Sequence, residues 1–503
     1  MLIGDILLAH GLVTPEDIKI AIHRQKENGG RLGDNLVALG VMTQEQLDKA
    51  IYEAPQAPKS IEDTGIPTAN LLRLMLKLIY MNSLETASQI SGSIKLPIGV
   101  VNRLIQEAGN RKFLESLGNT DQSTFSETRY LMTEMGKRFA IESLDQNQYV
   151  GPAPVSLEAY QARIGQQKIT NERVEQSKIA ESFENLVITD DFVRRLGPGV
   201  NAGKSILLYG PPGNGKTTVA EKVAAIFANV IYVPYCFEVD GQIIKVFDPA
   251  IHIPVLEKEP KRKASAGLRR EEFDGRWVPC ERPVVITGGE LTLEMLDLSF
   301  NSHAKYYEAP LHVKASNGTF IIDDFGRQLV SPEDLLNRWI VPLENRIDYL
   351  KLHTGKSFSL PFDELVIFST NLSPDDLMDP AFLRRIPYKL ETVGPNKEQY
   401  FEIFRMVGAS RGLDITDDVL DMVIEELQVK NRFDLACYQP KFIIDQIIAA
   451  CKYEGSEPYV SKELVTDALK NLYTSSAKGV GKTAARSASS KETDPKAQVA
   501  AVL

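Results

Sequence analysis

Apolar and polar positions along the 503 residues change period several times, and each change marks a different kind of structure. The first 54 residues carry helical spacing, and they repeat. LIGDILLAHGLVTPEDIKIAIHRQ (2–25) aligns with RLGDNLVALGVMTQEQLDKAIYEA (31–54) at an offset of 29. Each copy predicts a short helix, a glycine stop, and a second helix capped by Thr14 or Thr43. The two hairpins are expected to pack together, since neither buries its apolar face alone. PQAPKSIEDTG (55–65) reads as a linker. An apolar helix around Leu71–Met81 follows. TASQISGSIKLPIGVVNRLIQEAG (86–109) then has helix-turn-helix character, with Pro97 opening its second helix. A β wing within 113–132 and a closing helix at 133–144 complete a winged-helix-like domain over 66–148. The Pro-broken YVGPAPV (149–155) begins a second linker, 149–179.

From 180 to 395 the period changes again. Apolar runs SILLY (205–209), VIYVPY (230–235), TFIID (319–323) and ELVIFST (364–370) alternate with helical segments. Such runs predict an α/β domain, a parallel sheet with helices on both faces. Residues 236–318 hold an insertion with β signals around GQIIKVFDP and HVKASNG. Four helices are expected in 396–475, beginning near Asn396, Thr416, Pro440 and Ser461. Residues 476–503 are small, polar and basic, the composition of a disordered tail.

Composition narrows the class. There are 57 basic and 67 acidic residues, a net charge of −10, so nucleic-acid binding must be confined to a local patch. Between 66 and 140, nine basic residues face six acids, a modest +3, and the helix Pro97–Ala108 offers only Arg103 as a cation. A protein-interaction role is favoured there over DNA. The four cysteines, Cys236, Cys280, Cys437 and Cys451, have no CxxC spacing, which argues against a disulfide framework or zinc site and fits a reducing cytoplasm. The N-terminus does not read as a signal peptide, and no run suits a membrane span.

The strongest chemical signal is GPPGNGKTT: Gly210, Pro211, Pro212, Gly213, Asn214, Gly215, Lys216, Thr217 and Thr218. It contains G-x-x-x-x-G-K-T after one strand and before one helix. Glycines let the backbone aim N–H groups at a triphosphate, Lys216 supplies a cation to its β/γ-phosphates, and Thr217 offers a hydroxyl to Mg²⁺. Such a cradle needs acids on a neighbouring strand end. TFIIDD provides them, Asp323 to hold Mg²⁺ and Asp324 to polarise the attacking water.

With these residues the chain resembles the AAA+ ATPases, and the resemblance extends over 180–475. It implies a P-loop ATPase core over 180–395 and a helical lid over 396–475. It makes Asn371, ending FSTN, the polar residue that contacts the γ-phosphate. LMDPAFLRR (377–385) resembles the family segment with the arginine finger, so Arg384 and Arg385 are candidates to reach a neighbouring subunit. Lys441 stands where the lid's sensor arginine is expected. Two positions depart from the pattern: Asp324 where Glu is usual, and Lys441 where Arg is usual. YVGPAPV, DDFGRQL and AFLRRI are similar to segments of bacterial AAA+ proteins described as ATPases with chaperone activity. The resemblance implies ATP and Mg²⁺ as ligands and a homo-hexameric ring; it names no substrate, and the partner expected is an unidentified protein substrate or docking partner.

The N-terminal repeat resembles the N-terminal domain of type II secretion and MSHA-pilus ATPases, whose two motifs bind cyclic di-GMP. Here the matching positions are Gly4, Leu7, Gly11 and Gln25 in copy one, and Arg31, Leu32, Gly33, Leu36 and Gly40 in copy two. Leu2 stands in place of the first arginine and Ala54 in place of the second glutamine. The function expected from these features is a cytoplasmic ring ATPase that remodels a protein partner, with cyclic di-GMP as an input. The alternatives are a DNA-binding regulator whose oligomerisation follows ATP, and a nucleotide switch that does not hydrolyse.

Overall fold

A computed structural model describes residues 3–28, 32–119, 127–172, 174–255, 273–377 and 383–472. It divides into two compact units, Met1–Val393 and Gly394–Leu503.

The first unit opens with α1 (Ile3–Ala9), α2 (Pro15–Asn28), α3 (Leu32–Ala38) and α4 (Gln44–Glu53). Gly11 and Gly40 end the first helix of each pair with φ of 64° and 71°, where a side chain would be strained. Thr43 and Gln46 form a reciprocal capping box at the start of α4. Next come α5 (Thr68–Asn82), α6 (Ala87–Ile94) and α7 (Ile98–Asn110), then an antiparallel hairpin of β1 (Leu114–Asn119) and β2 (Thr128–Met132), then α8 (Glu134–Gln146).

The two segments read as linkers are packed. Gln56 forms a β-bridge with Phe273, the Asp274 N–H donates to the Pro55 carbonyl, and Ile61 and Thr64 are buried. The second segment contains β3 (Val155–Ser156), α9 (Leu157–Gln166) and α10 (Gln176–Ser182). Flanking Pro and charge suggested solvent exposure. Partners more than 100 residues away in sequence, such as Phe273 for Gln56, supply the burial.

The chain then runs through α11 (Asp190–Ala202), β4 (Ile206–Tyr209), α12 (Lys216–Ala225), β5 (Ile231–Pro234), β6 (Cys236–Val239), β7 (Gln242–Lys245), β8 (Trp277–Cys280) and β9 (Val284–Thr287). It continues with β10 (Ser299–Asn301), β11 (Tyr306–Glu308), α13 (Leu311–Lys314), β12 (Thr319–Ile322), α14 (Pro332–Asn345), β13 (Ile347–Lys351), β14 (Ser357–Pro361), β15 (Leu365–Thr370), α15 (Pro374–Leu377) and β16 (Tyr388–Glu391). Five of these strands form a parallel sheet in the order β16-β4-β15-β12-β9. The inner strands are apolar throughout because both faces are covered. Ile206, Leu208, Ile321 and Ile367 pack on the α11–α12 side, and Leu207, Phe320, Val366 and Phe368 pack with Trp339 of α14 on the other.

Two strand expectations need correction. VIYVPY does not enter the parallel sheet. Its residues 231–234 pair antiparallel with Trp277–Cys280, and the edge place beside β12 goes to Val284–Thr287. Both segments are apolar enough for either place, and only the long-range pairing separates them. HVKASNG is not a strand either: Pro310 opens the short helix α13, and Asn317 turns with φ of 62°.

The insertion supplies four strands of a second five-stranded sheet, β10-β11-β7-β6-β3, and the 149–179 segment supplies the fifth, β3. The N-terminal helices belong to the same buried cluster as this sheet: Leu7, Ile18 and Leu36 share it with Tyr232, Phe237 and Trp277, and the His10 ring lies 3.1 Å from the Tyr232 hydroxyl. Among the described residues no helix is long and apolar enough to cross a membrane.

The second unit is helical. It comprises α16 (Lys397–Ser410), α17 (Asp417–Ile424) with a π-helical continuation to Lys430, α18 (Tyr438–Glu454) and α19 (Lys462–Leu472), closed over Tyr400, Phe404, Leu420, Ile443 and Val465. The sequence stretch 476–503, read as a tail, lies outside the described residues.

Candidate functional site

The parallel sheet brings three strand ends together. β4 stops at Tyr209, β12 at Ile322 and β15 at Thr370, and their registers align these C-terminal ends. The loop after β4 is the glycine-rich segment. Gly210, Gly213 and Gly215 take φ of 138°, 79° and 78°. A Cβ on Gly210 would lie 2.2 Å from the Thr392 carbonyl oxygen, so no other residue fits there. Asn214 is buried, while Pro211, Pro212 and Gly213 are exposed. Gly215 caps α12, so the first N–H groups of that helix, from Lys216, Thr217 and Thr218 onward, face the loop as an anion site.

Lys216 is buried, and its Nζ donates to the carbonyls of Gly210 and Pro211 at 2.9 Å each. Burial lowers its pKa, while the charges of Asp323 and Asp324 oppose that shift. The Thr217 hydroxyl donates to Asp323 Oδ2 at 2.9 Å. Asp323 is fixed from both sides. Its N–H donates to the Thr287 carbonyl at 2.8 Å, and its carbonyl accepts from Gln328 Nε2 at 2.9 Å. Asp324 turns out of the strand with φ of 50°, and Asn371 Nδ2 donates to its Oδ1 at 2.9 Å. Five residues that lie between positions 216 and 371 therefore meet at the C-terminal ends of the inner strands.

This donor set fits the expected ligands. A hydroxyl beside a carboxylate is a hard oxygen pair suited to Mg²⁺, and the loop N–H groups with Lys216 suit phosphate oxygens. Gln328 was not recognised from sequence as a site residue, although it lies in the quoted DDFGRQL. Thr392 gave no signal at all.

Curated proteins are similar to part of this chain. The proteasome-activating nucleotidase of Methanocaldococcus jannaschii is 28% identical over 167 residues, 31% of this chain and 36% of that protein. The one from Methanospirillum hungatei is 28% identical over 218 residues, 41% of this chain and 46% of that protein. The chain thus spans less than half the length of these curated relatives. The core has the α/β fold expected from the sequence, a parallel sheet with helices on both faces. In the second unit, a family model described as "Domain of unknown function (DUF8689)" matches residues 396–471. Among solved structures, the Thermotoga maritima RuvB Holliday junction branch migration motor is similar at 15% identity, covering 57% of this chain and 70% of that one, with a TM-score of 0.30.

Arg384 and Arg385 lie elsewhere on the α/β core. They precede β16, whose first residue pairs with Ile206, the first of β4, and Ser205 Oγ donates to the Arg385 carbonyl at 3.1 Å. The P-loop leaves the other end of β4, about 10 Å further along the strand. Arg385 Nε donates to Glu344 Oε1 at 2.6 Å, a pairing between positions 41 residues apart that sequence reading missed. Arg384 is exposed. Lys441 is exposed on α18 of the second unit.

The residues matched to a cyclic di-GMP motif have other occupations in the repeat. Leu7 and Leu36 are fully buried and Gln25 nearly so. A Cβ on Gly4 would come within 3.3 Å of Leu32, and one on Gly33 within 2.8 Å of Leu47, so both glycines permit close helix packing. Gly11 and Gly40 make turns, and Arg31 lies outside the described residues.

Proposed function

We propose that the chain binds ATP with Mg²⁺ at the P-loop and hydrolyses it within a ring of identical subunits, a hexamer by its resemblance, to remodel a protein partner. The observation that carries this reading is the meeting of Lys216, Thr217, Asp323, Asp324 and Asn371 at the C-terminal ends of the inner strands. Loop N–H groups and Lys216 hold the β/γ-phosphates. Thr217 and Asp323 hold the metal, which neutralises charge developing on the phosphate oxygens. Asp324 orients the attacking water and accepts its proton, and Asn371 fixes the carboxylate that does so. Arg384 lies just before β16, near the end of β4 opposite to the P-loop, which supports a role at a neighbour's γ-phosphate rather than at its own. The relatives' name, proteasome-activating nucleotidase, favours a protein over a nucleic acid as the partner.

The DNA alternative loses three of its cations: Arg111 pairs with Glu107, Arg129 with Glu85, and Lys137 with Glu134. Packing accounts for Gly4, Gly33, Leu7 and Leu36, which favours a docking role for the N-terminal module over capture of cyclic di-GMP. The non-hydrolysing switch is favoured by one observation, the short Asp324 side chain tied to Asn371 in a left-handed turn.

The test is phosphate release by the purified protein, with Lys216→Ala as the blank, and then by mixtures of Asp324→Asn with Arg384→Ala. Each variant alone is expected to be inactive, and mixing is expected to restore turnover, because mixed rings contain sites with both groups intact. Tight ATP binding without release above the blank would support the switch. Mixtures that stay inactive while wild type turns over would remove Arg384 from the neighbour's site.

A further inference from the structure

A cavity of about 270 Å³ lies between α5, the C-terminal end of α8 and the β6–β7 hairpin, away from the P-loop. Asn70, Arg73, Leu74 and Lys77 line it at positions i, i+3, i+4 and i+7 of α5, a single helix face. The helix is otherwise apolar over 71–79, with Leu71, Leu72, Met75, Leu76, Leu78 and Ile79 buried. Lys77 interrupts the run and is itself only 3% exposed. Its Nζ donates to the Asn147 carbonyl at 2.8 Å, where α8 ends. Burial, and then the charge of Arg73 one turn away, hold its pKa down to about 8. Among the described residues, neither Lys77 nor Arg73 forms an ion pair with a carboxylate.

The opposite end of the cavity has the other polarity. Asn70 Nδ2 donates to Glu238 Oε1 at 2.8 Å, and burial raises the pKa of that carboxyl. Asp240, also on the rim, is drawn away to Lys356 at 2.8 Å. Along α5, Asn70, which holds Glu238 of β6, lies about 4.5 Å of rise from Arg73 and about 10 Å from Lys77 at 1.5 Å per residue.

Two like charges one turn apart repel, and a buried ammonium without a counter-charge is costly. Capping of α8 accounts for one N–H of Lys77, but not for Arg73 beside it or for the open space between them. We propose that this cavity binds a small anion, a carboxylate or a phosphate ester, between Arg73 and Lys77, with a hydrogen-bond donor of the same molecule turned to Glu238. The volume falls just under the ~300 Å³ where drug-sized pockets begin, so the ligand is small. Because the walls come from the α5–α8 module and from the insertion's β6–β7 hairpin, the anion ties those two parts together.

The test uses the full-length protein with two probes, citrate for the carboxylate class and glycerol 3-phosphate for the phosphate esters. Calorimetric titration is run on wild type, Arg73→Ala, Lys77→Met and, to remove binding at the P-loop, Lys216→Ala. In parallel, amine acylation is followed residue by residue by mass spectrometry. Binding by one or both probes is expected in wild type and Lys216→Ala. It should be lost in Arg73→Ala, whose exposed side chain leaves the core intact, and in Lys77→Met, which keeps the buried stem. At ten times the Kd, Lys77 acylation is expected to fall about tenfold. Binding of citrate alone assigns the carboxylate class, and of glycerol 3-phosphate alone the phosphate esters. Absence of binding by both probes up to about 10 mM overturns the proposal. So does binding that survives Arg73→Ala; in either case Lys77 is a helix cap only.

Discussion

Arg276 offers a sharp test of how the first unit is held together. It is 4% exposed and grips Asp274, itself 3% exposed, through Nε at 3.0 and 3.1 Å and Nη2 at 2.8 Å. Its Nη1 donates to the carbonyls of Thr64 at 3.1 Å and Pro154 at 2.9 Å. One guanidinium thus joins the start of β8 to both segments that the sequence presents as linkers. Arg276→Met keeps the aliphatic bulk and removes every one of these bonds. Asp274 is left as a buried carboxylate without its partner, a loss of about 3–5 kcal/mol in comparable pairs. Two buried carbonyls also lose donors, at about 1–3 kcal/mol each if nothing replaces them. These terms overlap, so the expected loss is about 3–5 kcal/mol. Asp274→Asn combined with Arg276→Met should recover part of it, since the stranded charge is gone. The assay is urea unfolding followed by the fluorescence of Trp277, next in sequence to Arg276, in a Trp339→Phe background that silences the only other tryptophan. Limited proteolysis should show 55–65 newly cleaved in Arg276→Met. A loss below about 1 kcal/mol, or one that Asp274→Asn leaves unchanged, would refute the reasoning.

Other outcomes follow from the same geometry. Gly210→Ala should lose ATP binding, measured by fluorescent-nucleotide titration, because its Cβ would meet the Thr392 carbonyl oxygen at 2.2 Å and force the loop open. Asn371→Ala should bind ATP normally but release phosphate about 10²-fold more slowly or worse, since Asp324 would lose the side-chain tether that Asn371 gives it at 2.9 Å. Glu364 is buried, its two carboxyl oxygens make no hydrogen bond among the described residues, and burial followed by the charge of Asp363 raises its pKa well above the usual value. The folded state keeps a proton there that the unfolded chain releases near pH 4.5, so Glu364 makes stability fall as pH rises above that point. Urea midpoints for Glu364→Gln should accordingly gain on wild type between pH 5 and pH 8, and parallel curves would contradict this. Trp339→Ala, at a fully buried ring packed on Phe320 and Phe362, should cost about 3–5 kcal/mol in the same unfolding assay.

The sequence by itself determined what depends on near neighbours. Glycines at 210, 213 and 215 ahead of Lys216 and Thr217 specify a tight loop that opens α12, because φ signs and helix capping are local properties. The buried strands 206–209, 319–322 and 365–370 were legible because apolar runs covered on both faces leave a strong signal. The acid pair at 323–324 and Asn371 could be placed at strand ends for the same reason. What the sequence could not decide is pairing between distant segments. Val284–Thr287 and Ile231–Pro234 are equally suited to a sheet edge, and only tertiary registry put the first beside β12. The polar and proline-containing segments 55–65 and 149–155 look exposed until Arg276 and Asp274, far along the chain, donate to their carbonyls. Likewise Glu344 gave no hint that it would hold Arg385, and Lys77 no hint that it would face a cavity. Local conformation follows from each residue's own torsions and neighbours, whereas burial and ion pairing are set by whichever distant segment the fold brings near.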